Sequence, residues 1–204
     1  MQTQEQPIRS GRRPSTTRAS ISRIALSLFA AKGFDETSVE EIAAAAGISR
    51  RTLFRYFPSK NDIPWGDFDA ELTRMRGFLA GLDPNTALAD ELGLALADFN
   101  TFPAEEAPWH RQRMALVFGV PTLQAHSALK YAGWRRVVAE HAAERLGLAP
   151  DDHLPRSIAW MSLGVALAAY EQWLTDETSD LLGLLRSGSV LLANGLRPAD
   201  HRAH

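Results

Sequence analysis

Arginine dominates a short segment that could read DNA, between Ser49 and Lys60. Arg50 and Arg51 are adjacent, and Arg55 follows about one helical turn later. Guanidinium groups pair bidentately with guanine O6 and N7 in the major groove, whereas hydroxyl and ammonium groups suit phosphate oxygens. We therefore predict DNA contacts from this segment and from the residues that begin the preceding helix. The full set of candidates is Thr37, Ser38, Ser49, Arg50, Arg51, Thr52, Arg55, Tyr56 and Lys60.

The first helix that must support this segment is an amphipathic stretch over residues 21–32. Apolar side chains recur at offsets 0, 3, 4, 7 and 8 from Ile21, which is the spacing of one helical stripe. Lys32 and Gly33 favour the end of the helix, because a cation suits the negative end of the helix dipole and glycine adopts the left-handed cap.

Capping residues predict where the next two helices begin. Thr37 with Glu40, or Ser38 with Glu41, has the spacing of a capping box, and the sequence leaves the two alternatives open. The third helix follows a glycine-containing turn and can be capped by Ser49.

Two short helices joined by a tight turn, 39–46 and 50–57, indicate a helix-turn-helix unit. Leu53 and Phe57 are four residues apart and are expected to face the core. The arginines of the same helix are then left on the outer surface, where they could enter the major groove.

The charge of the chain is divided unevenly along its length. Residues 1–60 carry ten Lys or Arg against five Asp or Glu, and the remainder carries 12 against 19. Because phosphate neutralisation dominates nonspecific DNA affinity, a basic head on an acidic body indicates that only the head meets the polyanion. The arginine-rich stretch 1–17 is a candidate flexible arm, which either orders in the minor groove or remains an undifferentiated tail.

Together these residues resemble the DNA-binding signature of the TetR family of regulators. The resemblance covers residues 18–63, with glycines, caps, core aromatics and a closing lysine in the family's order. The matching residues are Gly33-Phe34, Thr37-Ser38-Val39, Ile42-Ala43, Ala46-Gly47-Ile48-Ser49, Thr52-Leu53-Phe54, Tyr56-Phe57 and Lys60.

The resemblance implies an all-α fold with an N-terminal three-helix helix-turn-helix domain and a C-terminal helical bundle for ligand binding and dimerisation. It implies a homodimeric repressor that binds double-stranded DNA through helices one to three, uses helix four as a lever and binds an inducer in its body. The predicted organisation is an arm over 1–17, a DNA-binding domain over 18–63 and the bundle over 64–204. The continuation 57–69 further resembles regulators associated with mycofactocin biosynthesis in actinobacteria.

Beyond the head, apolar periodicity and breaker residues predict helices and no strand. A long fourth helix is predicted over 61–82, with Pro64 tolerated because it falls in the first turn. The remaining predicted helices cover 86–102, 109–120, 122–146, 155–175 and 178–196.

Small residues are common in the last two predicted helices. Gly164 and Ala168 lie in one helix, and Gly183 and Gly188 lie in the other. Close approach through such residues can reflect packing inside one chain, but the family resemblance implies a four-helix dimer interface here. A dimer would hold two recognition helices about 34–36 Å apart, so the operator is predicted to be an inverted repeat.

Aromatic and methionine side chains on several body helices predict an apolar pocket, although the same pattern is typical of a plain core. We expect a small-molecule effector, with a fatty acyl-CoA as first candidate, because an apolar tunnel with a cationic mouth would suit it. The cations considered for the mouth are His110, Arg111, Arg113, His126, Arg135 and Arg136. The ligand-binding candidates are Phe99, Trp109, Arg113, Met114, Phe118, His126, Trp134, Trp160 and Met161.

Motifs of common enzyme classes are missing from the sequence. The six histidines form no i, i+4 pair, no Gly-x-Ser-x-Gly, phosphate-binding loop or dinucleotide fingerprint occurs, and there is no cysteine. We therefore predict that the protein is not an enzyme and holds no cofactor or metal. The longest apolar run, 158–170, is too short to span a membrane, so a cytoplasmic protein is expected.

Two alternatives remain open at this point. A helical ligand-binding or adaptor protein without DNA binding would share the fold, although the adjacent Arg50 and Arg51 argue against it. The sequence does not distinguish an activator from a repressor, because that difference depends on where the operator lies relative to a promoter.

Overall fold

The structure, a computed structural model, describes residues 16–195. These residues form helices and the loops that connect them. The predicted all-α fold is confirmed, and no strand occurs in this range. The basic arm predicted over residues 1–17 lies outside the described residues except for its last two positions. The α-helices are α1 (Arg18–Lys32), α2 (Val39–Ala45), α3 (Arg50–Tyr56), α4 (Phe68–Ala80), α5 (Leu88–Phe99), α6 (Ala107–Gly119), α7 (Pro121–Leu146), α8 (His153–Thr175) and α9 (Leu181–Ala193), and two 3₁₀ helices cover Lys60–Trp65 and Ala104–Glu106.

The head consists of α1, α2 and α3, which pack around a hydrophobic core that is separate from the core of the body. Ser38 and Glu41 form the capping box that starts α2, so the second of the two alternatives is correct. The α2–α3 turn is closed by Gly47 at φ 67°, a left-handed conformation that favours glycine. The most buried side chains of this core are Ile21, Leu26, Phe29, Ile42, Leu53 and Phe57.

The predicted long helix over 61–82 is wrong, because the chain breaks inside it. Lys60–Trp65 forms a 3₁₀ helix, and Gly66 follows with φ 60° and ψ -131°. Side chains other than hydrogen disfavour that conformation, so only a glycine lets the chain turn there before α4 begins. The segment between head and body is therefore two short elements joined at Gly66 rather than one rod.

The body contains α4 to α9 and encloses a second core. The predicted helices that correspond to α5 to α9 agree with the observed ones apart from their ends. The last helix begins at Leu181 rather than at 178, because the Asp180 carboxylate caps it by accepting from the backbone N–H groups of Leu182 and Gly183. Buried members of this core include Met75, Leu96, Val117, Trp134, Val138, Leu163 and Leu185.

Helices α6 and α7 connect the body to the head. The Gln112 side chain donates to the Leu26 carbonyl at 3.2 Å, and Leu123, in the first turn of α7, is fully buried in the core of the head. Arg23 of α1 forms an ion pair with Glu106 at 2.6 Å. Movements of α6 would therefore act on α1, and movements of α7 would act on the core of the head.

Candidate nucleic-acid interface and effector cavity

Helix α3 has the local structure of a recognition helix. The Ser49 hydroxyl accepts from the Thr52 backbone N–H at 3.1 Å and lies 2.9 Å from the Thr52 hydroxyl. This cap fixes the first turn, the part of such a helix that reaches base edges. Leu53, 1% exposed, faces the core of the head as predicted.

The outer face of α3 presents its arginines to solvent. Arg51 and Arg55 are exposed, and Arg50 is exposed although its Nε lies 3.2 Å from a carboxylate oxygen of Glu40. A surface ion pair of this kind contributes little, about 0–1 kcal/mol, so a base or phosphate can replace it. The predicted DNA candidates Ser49, Arg50, Arg51 and Arg55 share one accessible surface.

Phe54 is a further member of this surface that sequence reasoning missed. It is 38% exposed, and the Arg50 guanidinium lies 5.4 Å from its ring centroid. An apolar side chain in the major groove can contact the methyl group of thymine. The available signal was spacing, because Phe54 follows Arg50 and Arg51 by four and three residues.

Thr37 and Ser38 differ in their accessibility. Thr37 is fully buried, and its hydroxyl donates to the Gly33 carbonyl at 2.7 Å. The predicted DNA contact by the Thr37 side chain is therefore incompatible with this structure, because the group that would make it is enclosed in the head. Ser38 is exposed at the start of α2 and keeps its place among the predicted contacts.

Lys60 and Tyr56 use their polar atoms inside the head. The Lys60 ammonium donates to the carbonyls of Phe34 at 2.8 Å and Thr37 at 3.1 Å. The Tyr56 hydroxyl donates to the Thr16 carbonyl at 3.0 Å. In this structure neither group is free for the phosphate contact that the sequence predicts, since each already binds backbone.

A half-open cavity of about 370 Å³ lies in the body, lined by residues of α4, α5, α6, α7 and α8, by both 3₁₀ helices and by residues 100–103. Four of the predicted ligand-binding residues line it: Phe99, Arg113, Met114 and Trp134. Other lining residues, which sequence reasoning missed, include Trp65, Phe68, Asn100, Phe102, Tyr131 and Tyr170.

Two predicted ligand residues lie at the junction with the head instead. Trp109 packs against the core of the head, and the His126 ring nitrogen Nε2 lies 3.0 Å from a carboxylate oxygen of Asp62. Neither lines the cavity, so the prediction is not supported for them. Helical periodicity showed that these side chains face inward but not which core they face.

The remaining three predicted ligand residues also lie away from the cavity. Trp160 is 56% exposed with the Arg135 guanidinium 3.6 Å from its ring centroid. Met161 is 49% exposed and borders a separate apolar groove of about 270 Å³. Phe118 packs in the core of the body, 6.1 Å from the ring of Tyr170, without lining the cavity.

One side of the cavity carries a chain of hydrogen bonds. The Tyr170 hydroxyl donates to Oδ1 of Asn100 at 2.5 Å and lies 2.7 Å from Nε2 of His110. Since the single hydroxyl proton is used on Asn100, His110 must be the donor in the second contact. Burial, reinforced by the charge of Arg113, lowers the pKa of His110 to about 3, so its ring is neutral near pH 7.

The 3₁₀ helix Lys60–Trp65 joins cavity and head. The Asp62 carboxylate accepts from Ser59, from Lys130 Nζ at 2.7 Å and from His126 of α7. Burial raises the pKa of Asp62, but the hydrogen bonds from these three residues outweigh it and lower the pKa to about 2. Because Lys60 binds the head and Trp65 lines the cavity, one short element touches both sites.

Comparison with known proteins identifies the family. The profile of bacterial regulatory proteins of the tetR family matches residues 21–63, and that of the MftR C-terminal domain matches residues 86–197. The chain is 50% identical, over 92% of its length and 95% of its relative's, to a Mycobacterium tuberculosis protein named as mycofactocin biosynthesis transcriptional regulator MftR. The chain belongs to the TetR family. The resemblance described from the sequence is thereby confirmed.

Solved structures of bacterial transcriptional regulators share the fold. FadR of Bacillus subtilis, solved in complex with stearoyl-CoA, superposes with a TM-score of 0.62 at 20% identity, over 88% of this chain and 99% of FadR. FadR of Thermus thermophilus, a repressor solved with lauroyl-CoA, gives 0.57 at 22% identity, over 92% and 98%. At these identities the likeness establishes the fold alone.

In this TetR-family chain the predicted cationic mouth does not assemble. Arg111 donates to the Trp173 carbonyl at 2.5 Å, and Arg136 pairs with Glu140 at 2.8 Å on the surface of α7. Only Arg113 and neutral His110, of the six cations considered, line the cavity. The sequence showed that cations are frequent along these helices. Most of these side chains lie on helix faces that point away from the cavity.

Neither a metal site nor a membrane span is found among residues 16–195. No group of three or more His, Asp or Glu side chains within this range is arranged to hold a metal ion. No helix there is both long and apolar enough to cross a bilayer.

Proposed function

We propose that this TetR-family regulator is a homodimeric repressor that binds an inverted-repeat operator through α3 and is released by a small molecule in the body cavity. The observation that carries the proposal is the outer face of α3, where Arg50, Arg51, Phe54 and Arg55 are exposed on a helix capped at Ser49. Arginine and an apolar ring are the side chains that read guanine edges and thymine methyl groups. A bacterial repressor of this kind acts in the cytoplasm and needs no catalysis.

Control of mycofactocin biosynthesis genes is the proposed regulatory role. Its support is the 50% identity to the M. tuberculosis protein along nearly the whole chain, together with the match of the body to the MftR C-terminal domain. Repression, rather than activation, is favoured by analogy with Thermus thermophilus FadR, which is described as a repressor.

A homodimer is supported by the outer faces of α8 and α9. Trp160, Met161, Val190 and Leu191 are between 43% and 56% exposed, and Gly164 beside them is also exposed. Adjacent apolar side chains on a water-exposed surface mark an interaction site. Two copies meeting through these helices would form a four-helix interface and place two α3 helices on one operator.

The proposed effector enters the cavity, and a fatty acyl-CoA is the first candidate. The aromatic and aliphatic residues that make up most of the cavity wall and the ligands of the two FadR structures support that choice. Phe68 of α4 and Trp65 line the cavity, so a ligand that displaces them would shift the Lys60–Trp65 helix and with it the head. Release of DNA requires a coupling free energy, typically about 1–3 kcal/mol.

The decisive experiment is a fluorescence-anisotropy titration on duplexes that tile the DNA beside the protein's own gene, with and without lauroyl-CoA. We expect saturable, salt-sensitive binding to one inverted repeat, reversed by the ligand. Arg51→Ala should lose about 1–3 kcal/mol of discrimination at one base position. Arg136→Ala, on the surface of the body, is the matched control and should bind as the wild type does.

Each possible result tests a different part of the proposal. Specific binding that lauroyl-CoA leaves unchanged would retain the regulator and discard this effector. Absence of specific binding on every tile, with Arg51→Ala indistinguishable from wild type, would favour the helical ligand-binding or adaptor protein without DNA binding.

A further inference from the structure

A carboxylate lies among the arginines of the α3 surface. Glu40, in the first turn of α2, has Oε1 at 3.2 Å from Nε of Arg50, and the two side chains are 59% and 63% exposed. Within residues 16–195, Arg50 is the one arginine of α3 that has an acidic partner. Glu40 therefore belongs to the surface that would face DNA, although its charge has the same sign as the phosphates.

Glu40 differs in its contacts from the acidic residue beside it. Glu41 caps α2 through Ser38 and pairs with Lys32, so it stabilises the head. The ion-pair partner of Glu40 is Arg50, and an exposed pair of this kind contributes little to stability. The larger effect of Glu40 is therefore on the side chain that it contacts.

The Arg50 guanidinium contacts two groups that leave one of its ends free. Glu40 lies at Nε, and the ring centroid of Phe54 lies 5.4 Å from Cζ. The terminal nitrogens Nη1 and Nη2 remain for other partners. Their N–H groups form a planar fork that matches O6 and N7 of guanine in the major groove.

The charge of Glu40 changes which DNA group Arg50 can bind. A phosphate that approaches the guanidinium also approaches the carboxylate, and the two anions repel one another. The edge of guanine is uncharged, so it accepts the same N–H groups without that repulsion. Glu40 therefore disfavours a phosphate contact by Arg50 and leaves the base contact available.

We infer that Glu40 is a specificity-determining residue, which acts through Arg50 by directing its guanidinium to a guanine rather than to a phosphate. Phe54 packs on the same guanidinium, so the thymine methyl group that it contacts belongs to the adjacent base pair. Each operator half-site then contains a guanine beside a thymine. The inference rests on the proposed function, because it assigns base recognition to the proposed DNA-binding surface. Specificity obtained in this way lowers nonspecific affinity.

The test is a selection of binding sites by the full-length protein from random duplexes of about 25 base pairs, which hold two half-sites one turn apart. The wild type should select an inverted repeat with a guanine beside a thymine in each half-site. Glu40→Gln keeps the shape of the side chain and removes its charge. It should lose about tenfold of the preference for that guanine and keep the preferences at the other positions.

Nonspecific affinity is measured by anisotropy on a scrambled duplex of the same composition. Glu40→Gln should bind it about three- to fivefold more tightly than the wild type, with a salt slope larger by about one, because Arg50 is released to a phosphate. Glu36→Gln removes the same charge from an exposed position before α2 and is the matched control. It should keep the wild-type preference for guanine.

A double-mutant cycle shows whether Glu40 acts through Arg50. Arg50→Met should itself lose the guanine preference, and Glu40→Gln should change base preference no further in that background. Replacing the guanine by 7-deazaguanine, which lacks the N7 acceptor, should weaken wild-type binding about tenfold and leave Arg50→Met unaffected. Replacing the thymine by uracil removes the methyl group and should weaken the wild type but not Phe54→Ala.

An unchanged guanine preference in Glu40→Gln would overturn the inference, and so would weaker binding of that variant to the scrambled duplex. Preferences lost equally at every position, together with a lower melting temperature, would also overturn it, because Glu40 would then be structural. If the wild type selected no sequence at all, the proposed function would fail and this inference with it. A selected inverted repeat that Glu40→Gln reads as the wild type does would retain the regulator and discard this inference alone.

Discussion

His110 links protonation to the stability of the body. Burial and the charge of Arg113 lower its pKa to about 3, whereas in the unfolded chain it takes up a proton below about pH 6.5. Between these values the unfolded state binds more protons, so the free energy of unfolding should fall as the pH drops below about 6.5. At pH 5 the resulting loss in the free energy of unfolding is about 2 kcal/mol.

His110→Gln should remove that contribution while leaving a side-chain amide to donate to the Tyr170 hydroxyl. Denaturant unfolding of both proteins at pH 7.5 and pH 5 measures the difference. We expect the variant to lose about 2 kcal/mol less than the wild type between the two pH values. An identical loss in both proteins would show that His110 is not the group responsible.

Lys60 is expected to stabilise the head rather than to bind phosphate. Its ammonium holds the carbonyls of Phe34 and Thr37 and lies 4.4 Å from the ring centroid of Phe34. Lys60→Met should lower the melting temperature and, well below it, leave the dependence of operator affinity on salt unchanged. A salt slope reduced by about one would instead restore the phosphate contact predicted from sequence.

At the scale of elements, the break between the 3₁₀ helix and α4 depends on one residue. Gly66 has φ 60° with no other heavy atom within 4 Å of where a Cβ would stand, so any effect of substitution is conformational. Gly66→Ala should destabilise the protein by about 1–3 kcal/mol. Gly77→Ala, in the open middle of α4, is the matched control and should stabilise by about 0.5–1 kcal/mol.

Both free energies are obtained from denaturant unfolding. If Gly66→Ala were as stable as the wild type, the chain could continue through position 66 as the single helix that the sequence predicted, and the two-element description would be wrong.

The 3₁₀ helix Lys60–Trp65 is also expected to transmit effector binding to the head. Lys130→Met removes the contact of 2.7 Å between α7 and Asp62, which holds this helix on the body. Effector affinity should change little, because Lys130 does not line the cavity. The coupling free energy between effector and operator should fall by about 0.5–2 kcal/mol.

The measurement is operator affinity with and without effector, together with calorimetry of effector binding alone. Arg136→Met, on the same helix with its partners Glu140 and Asp151 on the body, is the control and should keep wild-type coupling. If the coupling free energy between effector and operator were equal in the wild type and in Lys130→Met, the contact between Lys130 and Asp62 would not transmit effector binding to the head.

At the scale of the whole molecule, dimerisation should decide operator affinity. Leu191→Arg places a charge on the exposed apolar face of α9, where Leu191 is 43% exposed. Sedimentation velocity should show a monomer, and operator affinity should fall by about 10²-fold or more, because each head then binds its half-site alone. Leu129→Arg on α7, where the leucine is 69% exposed, is the matched control.

The control should remain a dimer with wild-type operator affinity. A dimeric Leu191→Arg variant would place the interface elsewhere on the surface. A monomeric wild-type protein with full operator affinity would contradict the dimer altogether.

Local features of the sequence determined the head and most of the helices. The capping boxes, the glycine turn and the 3.6-residue periodicity act within a few residues, so α1, α2 and α3 and the presence of α5 to α9 were predictable, although most helix ends were not. The same local reasoning placed Leu53 in the core and the arginines of α3 on the surface.

The tertiary structure alone decided which distant residues meet. The cavity combines Trp65, Phe99, Arg113, Trp134 and Tyr170 from five different elements, while equally apolar Trp160 stays on the surface. Periodicity predicts that a side chain faces inward. Which residues that side chain contacts depends on how helices far apart in the chain cross one another. Enclosure by such packing also buried Thr37 and left the Nε of Arg113 without a hydrogen-bond partner, which no local pattern could indicate.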